Sequence, residues 1–271
     1  MKKITPLLLF LFLFEMCSTV PISGRKRVNF VSDAKVLPAS FTQYTTFLSE
    51  NKISENLNKT KELKSIGKKV ANAVDRFMRA NNMVKEADAY QWEFNLIKDK
   101  TVNAWCLPGG KVVFYTGILP ICNNEDGIAA VMGHEVAHAF AKHGQERMSQ
   151  GQLQQFGGMA LALGTSSEPK KSQVIWNTAF GIGSGLGMLK FSRVHEQEAD
   201  RLGLIFMIMA GFDGKEAAEV WVRMSQRAST GSKVPEILST HPHNASRIQD
   251  LRAYLPIARK LAAQYNTPQK S

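Results

Sequence analysis

The chain has 271 residues, of which 44% are apolar and 21% charged, so it can bury a core as one large domain or two small ones. Its formal charge of +11 is compatible with a nucleic-acid or an anionic lipid partner. The sequence has no dense Lys/Arg block with interleaved aromatic residues, so we expect no nucleic-acid partner.

Residues 1–16 are typical of a bacterial signal peptide. Two lysines precede an unbroken apolar run over 7–14, which is too short to span a bilayer. Cys17 follows, as in bacterial lipoproteins, although Glu15 and Met16 stand where small residues usually precede such a cysteine. We expect an exported, periplasm-facing outer-membrane lipoprotein with a lipid anchor on Cys17. The alternative is an ordinary cleaved signal peptide.

Two further cysteines, Cys106 and Cys122, remain if Cys17 is acylated. In an oxidising envelope these two could form a disulfide. The alternative is a pair of separate buried thiols, and the sequence leaves both open.

No internal repeat or low-complexity tract divides the chain. We therefore expect a single domain over 51–265, with an irregular mature N-terminus over 17–50 and a short tail over 266–271. Pro21 and Pro38 interrupt any regular pattern in the N-terminal part.

The first half of the domain combines one helical pattern with three strand patterns. Apolar residues at helical spacing predict an amphipathic helix over 54–81. Strands are predicted over 90–96, 102–106 and 111–116, with a turn at 108–110 between the last two. A small sheet therefore precedes the central helix of the domain.

The second half is predicted to be helical. Small residues dominate 156–164 and 174–189, which we interpret as a tightly packed helix or a mobile cover over a site. Further helices are predicted over 194–210, 214–227 and 244–264, the last one interrupted at Pro256. The fold class is therefore α+β, mainly α.

The sequence HEVAH places three ionisable side chains in an apolar helical pattern that is expected to begin near Asn124 and to end by Gly144. His134 and His138 share one helix face, with Cβ atoms about 5–6 Å apart, so both can bind one zinc ion. Glu135 can then take a proton from zinc-bound water, as in HExxH metalloproteases. A fortuitous polar face is disfavoured, because burying such groups without partners costs roughly several kcal/mol.

A hydrolytic zinc needs a third protein ligand and one open position. Glu196 and Asp200 share a helix face, so we expect Glu196 to bind the metal and Asp200 to accept the outer N–H of a ligand histidine. His195 is the alternative third ligand, and Glu198 is expected to point elsewhere. His143 lies off the metal face and is expected at the surface or at a helix end. The prediction is one Zn²⁺ per chain.

In this order, HEVAH and EQEAD resemble the gluzincin arrangement HExxH…ExxxD. More narrowly, the chain resembles the peptidases grouped with HtpX and the CAAX prenyl protease, and within them the soluble envelope and mitochondrial quality-control branch. The resemblance runs from about residue 17 to 255 and also rests on CSTVPISGRKR (17–27), VNAW (102–105), LPGGKVVFYTG (107–117) and STHPHNASRI (239–248). It implies a zincin-like metallopeptidase domain with a small sheet beside the HExxH helix. The membrane spans of HtpX-type members have no counterpart in the sequence.

The resemblance implies further site residues. Asn103 and Ala104 would lie on an edge strand beside the zinc and bind the peptide as an added strand, instead of serving ordinary sheet pairing. His241 would lie near the metal, where it would either donate to the oxyanion or fill the fourth position and keep the enzyme inactive. Arg247 would hold that loop or support the oxyanion.

The expected function is therefore a zinc endopeptidase that cleaves misfolded or misassembled cell-envelope proteins, with Glu135 as the general base. The alternative is a zinc-stabilised, chaperone-like or latent module, held inactive by His241 on the metal. A purely structural zinc is disfavoured, because such sites usually use cysteines.

Overall fold

The computed structural model describes residues 17–151, 191–229, 235–241 and 245–266. The strands are β1 (Cys17–Thr19), β2 (Lys26–Val28), β3 (Glu93–Ile97), β4 (Ala104–Leu107) and β5 (Lys111–Tyr115). The helices are α1 (Asp33–Glu50), α2 (Leu57–Ala80), α3 (Val84–Ala89), α4 (Leu119–Cys122), α5 (Glu125–Phe140), α6 (Arg193–Met209), α7 (Glu216–Ser229), α8 (Ile237–Thr240) and α9 (Ala245–Asn266). A further helical stretch covers 143–151. This composition confirms the predicted α+β, mainly α fold class.

The three central strands form a mixed sheet in the order β3-β5-β4. β3 runs parallel to β5, and β4 runs antiparallel to it with Ala104 opposite Phe114. Gly109 and Gly110 connect β4 to β5 with φ angles of 81° and 85°, which glycine adopts without a Cβ clash. All three predicted strands are confirmed, and β4 lies at an edge of the sheet.

Helix α5, which contains HEVAH, lies at the centre of the molecule. It begins as predicted after Asn124, whose side chain accepts a hydrogen bond of 2.7 Å from the backbone N–H of Gly127. It crosses α6 where Gly133 faces Gly203, and a Cβ atom on Gly133 would lie 2.6 Å from the carbonyl oxygen of Gly203. The two glycines therefore permit the close helix contact that brings HEVAH next to Glu196.

The prediction of an irregular N-terminus is wrong for most of 17–50. β1 and β2 form an antiparallel hairpin, and Asp33–Glu50 is helical although Pro38 lies inside the helix. A proline removes one backbone donor, but α1 buries Val36 and Tyr44, and this tertiary packing outweighs the local penalty. The division of the chain into a domain and flanking segments stays a prediction.

The predicted break at Pro256 is also wrong. Helix α9 continues from Ala245 to Asn266, because it buries Leu251, Ala258 and Ala262 on both sides of the proline.

The predicted small-residue segments, 156–164 and 174–189, lie outside the described residues. Among the helices that the structure describes, none is long and apolar enough to traverse a bilayer.

Cys106 and Cys122 are both free thiols, which agrees with the second of the two alternatives that the sequence left open. Cys106 lies on the edge strand β4, whereas Cys122 ends α4 below the start of α5. Burial raises the pKa of both thiols, that of Cys122 to about 12. They are therefore two separate thiols, of which Cys122 is buried and Cys106 is partly buried.

Candidate metal centre

Four side chains from α5, α6 and the end of α8 converge in the interior. His134, His138, Glu196 and His241 each offer one ligand atom within 4.8 Å of the others. The Nε2 atoms of His134 and His138 lie 3.1 Å apart. Nδ1 of His241 lies 3.3 Å from Nε2 of His134 and 3.0 Å from Oε1 of Glu196. None of the four residues is more than 4% exposed.

These separations of 3.0–3.3 Å lie at or slightly below those around a four-coordinate zinc ion. Bonds of roughly 2.0–2.2 Å in a tetrahedron put the ligand atoms about 3.3–3.6 Å apart. The distance from Nε2 of His138 to Oε1 of Glu196 is 3.4 Å, within that range. Three imidazoles and one carboxylate are also a donor set that suits zinc.

Asp200 and Arg247 support the carboxylate side of the cluster. Nδ1 of His134 lies 3.0 Å from Oδ1 of Asp200. Arg247 donates two hydrogen bonds of 2.7 Å to Asp200, and its Nη1 lies 2.8 Å from Oε2 of Glu196. Its guanidinium also stacks on Trp221 at 3.8 Å. Arg247 therefore holds two carboxylates in place.

Neighbouring positive charges determine the ionisation of the two carboxylates. Burial opposes the ionisation of Glu196, but His241 and Arg247 outweigh it and hold its pKa well below the usual value. Burial also opposes the ionisation of Asp200, and Arg247 and His134 likewise hold its pKa below the usual value. Both carboxylates are therefore ionised.

His143, which was expected at the surface or at a helix end, begins the helical stretch 143–151 and is fully buried. Its Nδ1 lies 2.9 Å from Nδ1 of His138, and its Nε2 lies 2.7 Å from Oε2 of Glu198. The helical projection failed because Lys142, with φ of 56°, separates α5 from the next helical stretch. Burial lowers the pKa of His143 to about 4, so its ring is neutral.

His195 does not join the metal cluster. Its Nε2 lies 3.2 Å from Oε2 of Glu146, and its ring stacks on His143 with centroids 4.4 Å apart. The structure therefore places Glu196, and not the alternative His195, with the two HEVAH histidines.

Glu135 lies beside the cluster without joining it. Its Oε1 is buried and has no hydrogen-bond partner among the described residues, and Nε2 of His241 is 3.7 Å away. Burial raises the pKa of Glu135 above its usual value. An unpaired carboxylate with a raised pKa is suited to accept a proton.

A cleft opens next to Glu135 and His138. Asn103 and Ala104 line it, together with His241. Ala104 is the first residue of the edge strand β4, and Asn103 directly precedes it. Both predicted substrate-binding residues therefore face the space next to the cluster.

Comparison with known proteins agrees with this geometry. Residues 58–255 match Peptidase family M48. The chain is 33% identical to the mitochondrial metalloendopeptidase OMA1 of Schizosaccharomyces pombe over 249 residues, which are 91% of this chain and 69% of that protein. It is 30% identical to OMA1 of Saccharomyces cerevisiae, over 94% of this chain and 73% of that protein.

A shorter similarity connects the chain to the beta-barrel assembly-enhancing protease of Escherichia coli K12, at 32% identity over 59% of this chain and 34% of that protein. The family match covers both motif-bearing helices, α5 and α6. The chain therefore belongs to peptidase family M48 and is, as predicted, a metalloendopeptidase.

Proposed function

We propose that the chain is a zinc-dependent endopeptidase that hydrolyses misfolded or misassembled cell-envelope proteins. The observation that carries the proposal is the buried His134, His138 and Glu196 cluster with the unpaired carboxylate of Glu135 beside it. In this proposal the three residues hold one Zn²⁺ per chain, and Asp200 orients His134.

Zinc at this position would supply Lewis-acid chemistry, by polarising a carbonyl and making water more acidic. Glu135 accepts the proton of the attacking water and returns it to the leaving amine. The edge of β4 at Asn103 and Ala104 binds the substrate backbone as an added strand. Since main-chain hydrogen bonds supply this binding, it suits polypeptides that lack their own fold.

The proposed substrate class and location rest on the similar proteins and on the N-terminal residues. One similar protein is named for enhancing β-barrel assembly, and others are mitochondrial metalloendopeptidases. Together with the apolar leader and Cys17, these similarities support an exported envelope enzyme with a lipid anchor on Cys17.

The test of the base is the Glu135→Gln variant. The variant should retain zinc but cleave unfolded casein at least about 10²-fold more slowly, in line with the usual contribution of a general base. Glu219→Gln, which changes a partly exposed carboxylate on α7, is the matched control and should cleave at the wild-type rate. Undiminished cleavage by Glu135→Gln at equal zinc content would remove Glu135 from this role.

A latent enzyme is the second candidate, because Nδ1 of His241 occupies the fourth corner of the cluster. A histidine there leaves no position for water until it moves away. The His241→Ala variant separates the two roles of this residue: a latch predicts a higher rate of casein cleavage, and an oxyanion donor predicts a lower rate. An unchanged rate contradicts both roles.

A further inference from the structure

A row of polar contacts leads from the metal cluster to the N-terminal hairpin of β1 and β2. It passes from His138 to His143 and from His143 to Glu198. Arg25, in the turn of the hairpin, completes the row with an Nε hydrogen bond of 2.8 Å to Oε2 of Glu198. We propose that Arg25 is a positioning residue for the metal ligand His138, acting through Glu198 and His143. This inference rests on the proposed zinc site.

The chemistry of the groups fixes the direction of these hydrogen bonds. An ionised carboxylate only accepts, so Nε2 of His143 must donate to Glu198. A neutral imidazole carries one N–H, which leaves Nδ1 of His143 as an acceptor. His138 must then donate from Nδ1, and its Nε2 keeps the lone pair that faces the cluster. Glu198 therefore selects the metal-binding tautomer of His138 through an intervening ring.

Arg25 determines where the Glu198 carboxylate lies. Its Nη1 and Nη2 donate hydrogen bonds of 3.0 and 2.8 Å to the two oxygens of Glu146, while its Nε donates to Glu198. The two carboxylate side chains are only 7% and 3% exposed, so this guanidinium neutralises charges with little access to water. Ser23 adds a hydroxyl donor to the other oxygen of Glu198. The planar fork of arginine fixes both carboxylates at once, which a lysine cannot do.

Arg27 offers a matched comparison within the same hairpin. It is buried, and it donates hydrogen bonds to the backbone oxygen of Ala141 and to Ser18, at 2.5 and 2.8 Å. Replacing Arg27 therefore loosens the hairpin without removing a hydrogen bond to Glu198. If the hairpin has only a structural role, replacing Arg25 and replacing Arg27 should change zinc binding equally.

The experiment measures the zinc dissociation constant of the full chain by competition with a chelator, and the unfolding temperature of the zinc-free protein. We expect Arg25→Gln to weaken zinc binding by about 10-fold, the lower end for a residue behind a metal ligand. Arg25→Lys keeps the charge but cannot bond both carboxylates at once, so it should weaken binding severalfold. Arg27→Gln should lower the unfolding temperature but change the zinc affinity by less than about twofold.

A double-mutant cycle tests the route through Glu198. In the Glu198→Ala background, Arg25→Gln should no longer change the zinc affinity. The inference is overturned if the two arginine variants weaken zinc binding equally, if Arg25→Gln leaves it unchanged, or if the Arg25 effect persists without Glu198. These outcomes refute only the role of Arg25, provided that the wild-type chain binds zinc. If the wild-type chain itself binds no zinc, the proposed function fails as well.

Discussion

Helices α5 and α6 approach closely because Gly133 and Gly203 each have a hydrogen atom where other residues have a Cβ atom. The geometry of the metal cluster therefore depends on these two glycines. A Cβ atom on Gly203 would lie 2.7 Å from the backbone carbon of Gly133 and 2.7 Å from the backbone nitrogen of His134. Backbone atoms cannot rotate away as a flexible side chain can. Gly203→Ala must therefore separate α5 from α6.

The size of the separation follows from the contact distances. Restoring an ordinary contact of 3.4 Å requires a displacement of about 0.7 Å from the 2.7 Å approach. Metal–ligand distances tolerate only about 0.2 Å, so Glu196 can no longer bind at the same point as the α5 histidines. We expect zinc affinity to fall at least about 10-fold. Overpacking should also lower the free energy of unfolding by about 1–3 kcal/mol. Each kcal/mol should lower Tm by about 2–4 °C.

The assay combines thermal unfolding, with and without zinc, and chelator competition. Gly151→Ala is the matched control, because an added Cβ atom at Gly151 has no neighbour within 4 Å among the described residues. This control should keep the wild-type zinc affinity and gain at most about 1 kcal/mol from helix propensity. Wild-type zinc affinity and Tm in Gly203→Ala would refute the argument that the glycine contact sets the position of Glu196.

Two other variants test the charged groups around the cluster. Arg247→Lys should lower zinc affinity and casein cleavage at least about 10-fold, because a lysine cannot donate to two carboxylates as the arginine fork does. Arg252→Lys, in an exposed ion pair, is the control and should change neither quantity. Equal effects of the two variants would contradict the role of Arg247 in holding the carboxylates. Burial opposes the charge of Glu146, but His195 and Arg25 outweigh it and lower its pKa to about 2. The stabilisation by ionised Glu146 is complete above a pH of about 4.5 and is lost as the pH falls toward 2. Denaturant unfolding should therefore show a lower free energy of unfolding for Glu146→Gln than for wild type at pH 7, and this difference should shrink between pH 4.5 and pH 2. A difference that stays constant with pH would contradict the prediction.

Much of the cluster could be predicted because its signals are local. His134 and His138 lie one helical turn apart, and Glu196 and Asp200 repeat that spacing, so a helical projection is sufficient to place each pair on one face. Asparagine is a frequent residue at helix N-caps, and the capping hydrogen bond of Asn124 involves a residue only three positions away.

The errors arose where distant contacts decide the conformation. A left-handed residue at Lys142 redirects the chain and buries His143, and no helical period contains that information. Pro38 and Pro256 lie inside continuous helices because tertiary packing outweighs their local preference. The partners of Arg25 lie 121 and 173 positions away, so only the folded chain identifies that residue.

The charges buried around the four ligand side chains favour the binding of a cation. Glu135, Glu196 and Asp200 are 3%, 1% and 6% exposed and carry three negative charges when ionised. Among the described residues, Arg247 forms ion pairs with Glu196 and Asp200, and the buried Arg147 also acts electrostatically on Glu196. Negative charge is left over, and burying it without compensation is costly. A divalent cation at the cluster would balance this charge, and Glu135 could then remain ionised although burial raises its pKa. The same cation would therefore keep the proposed base able to accept a proton.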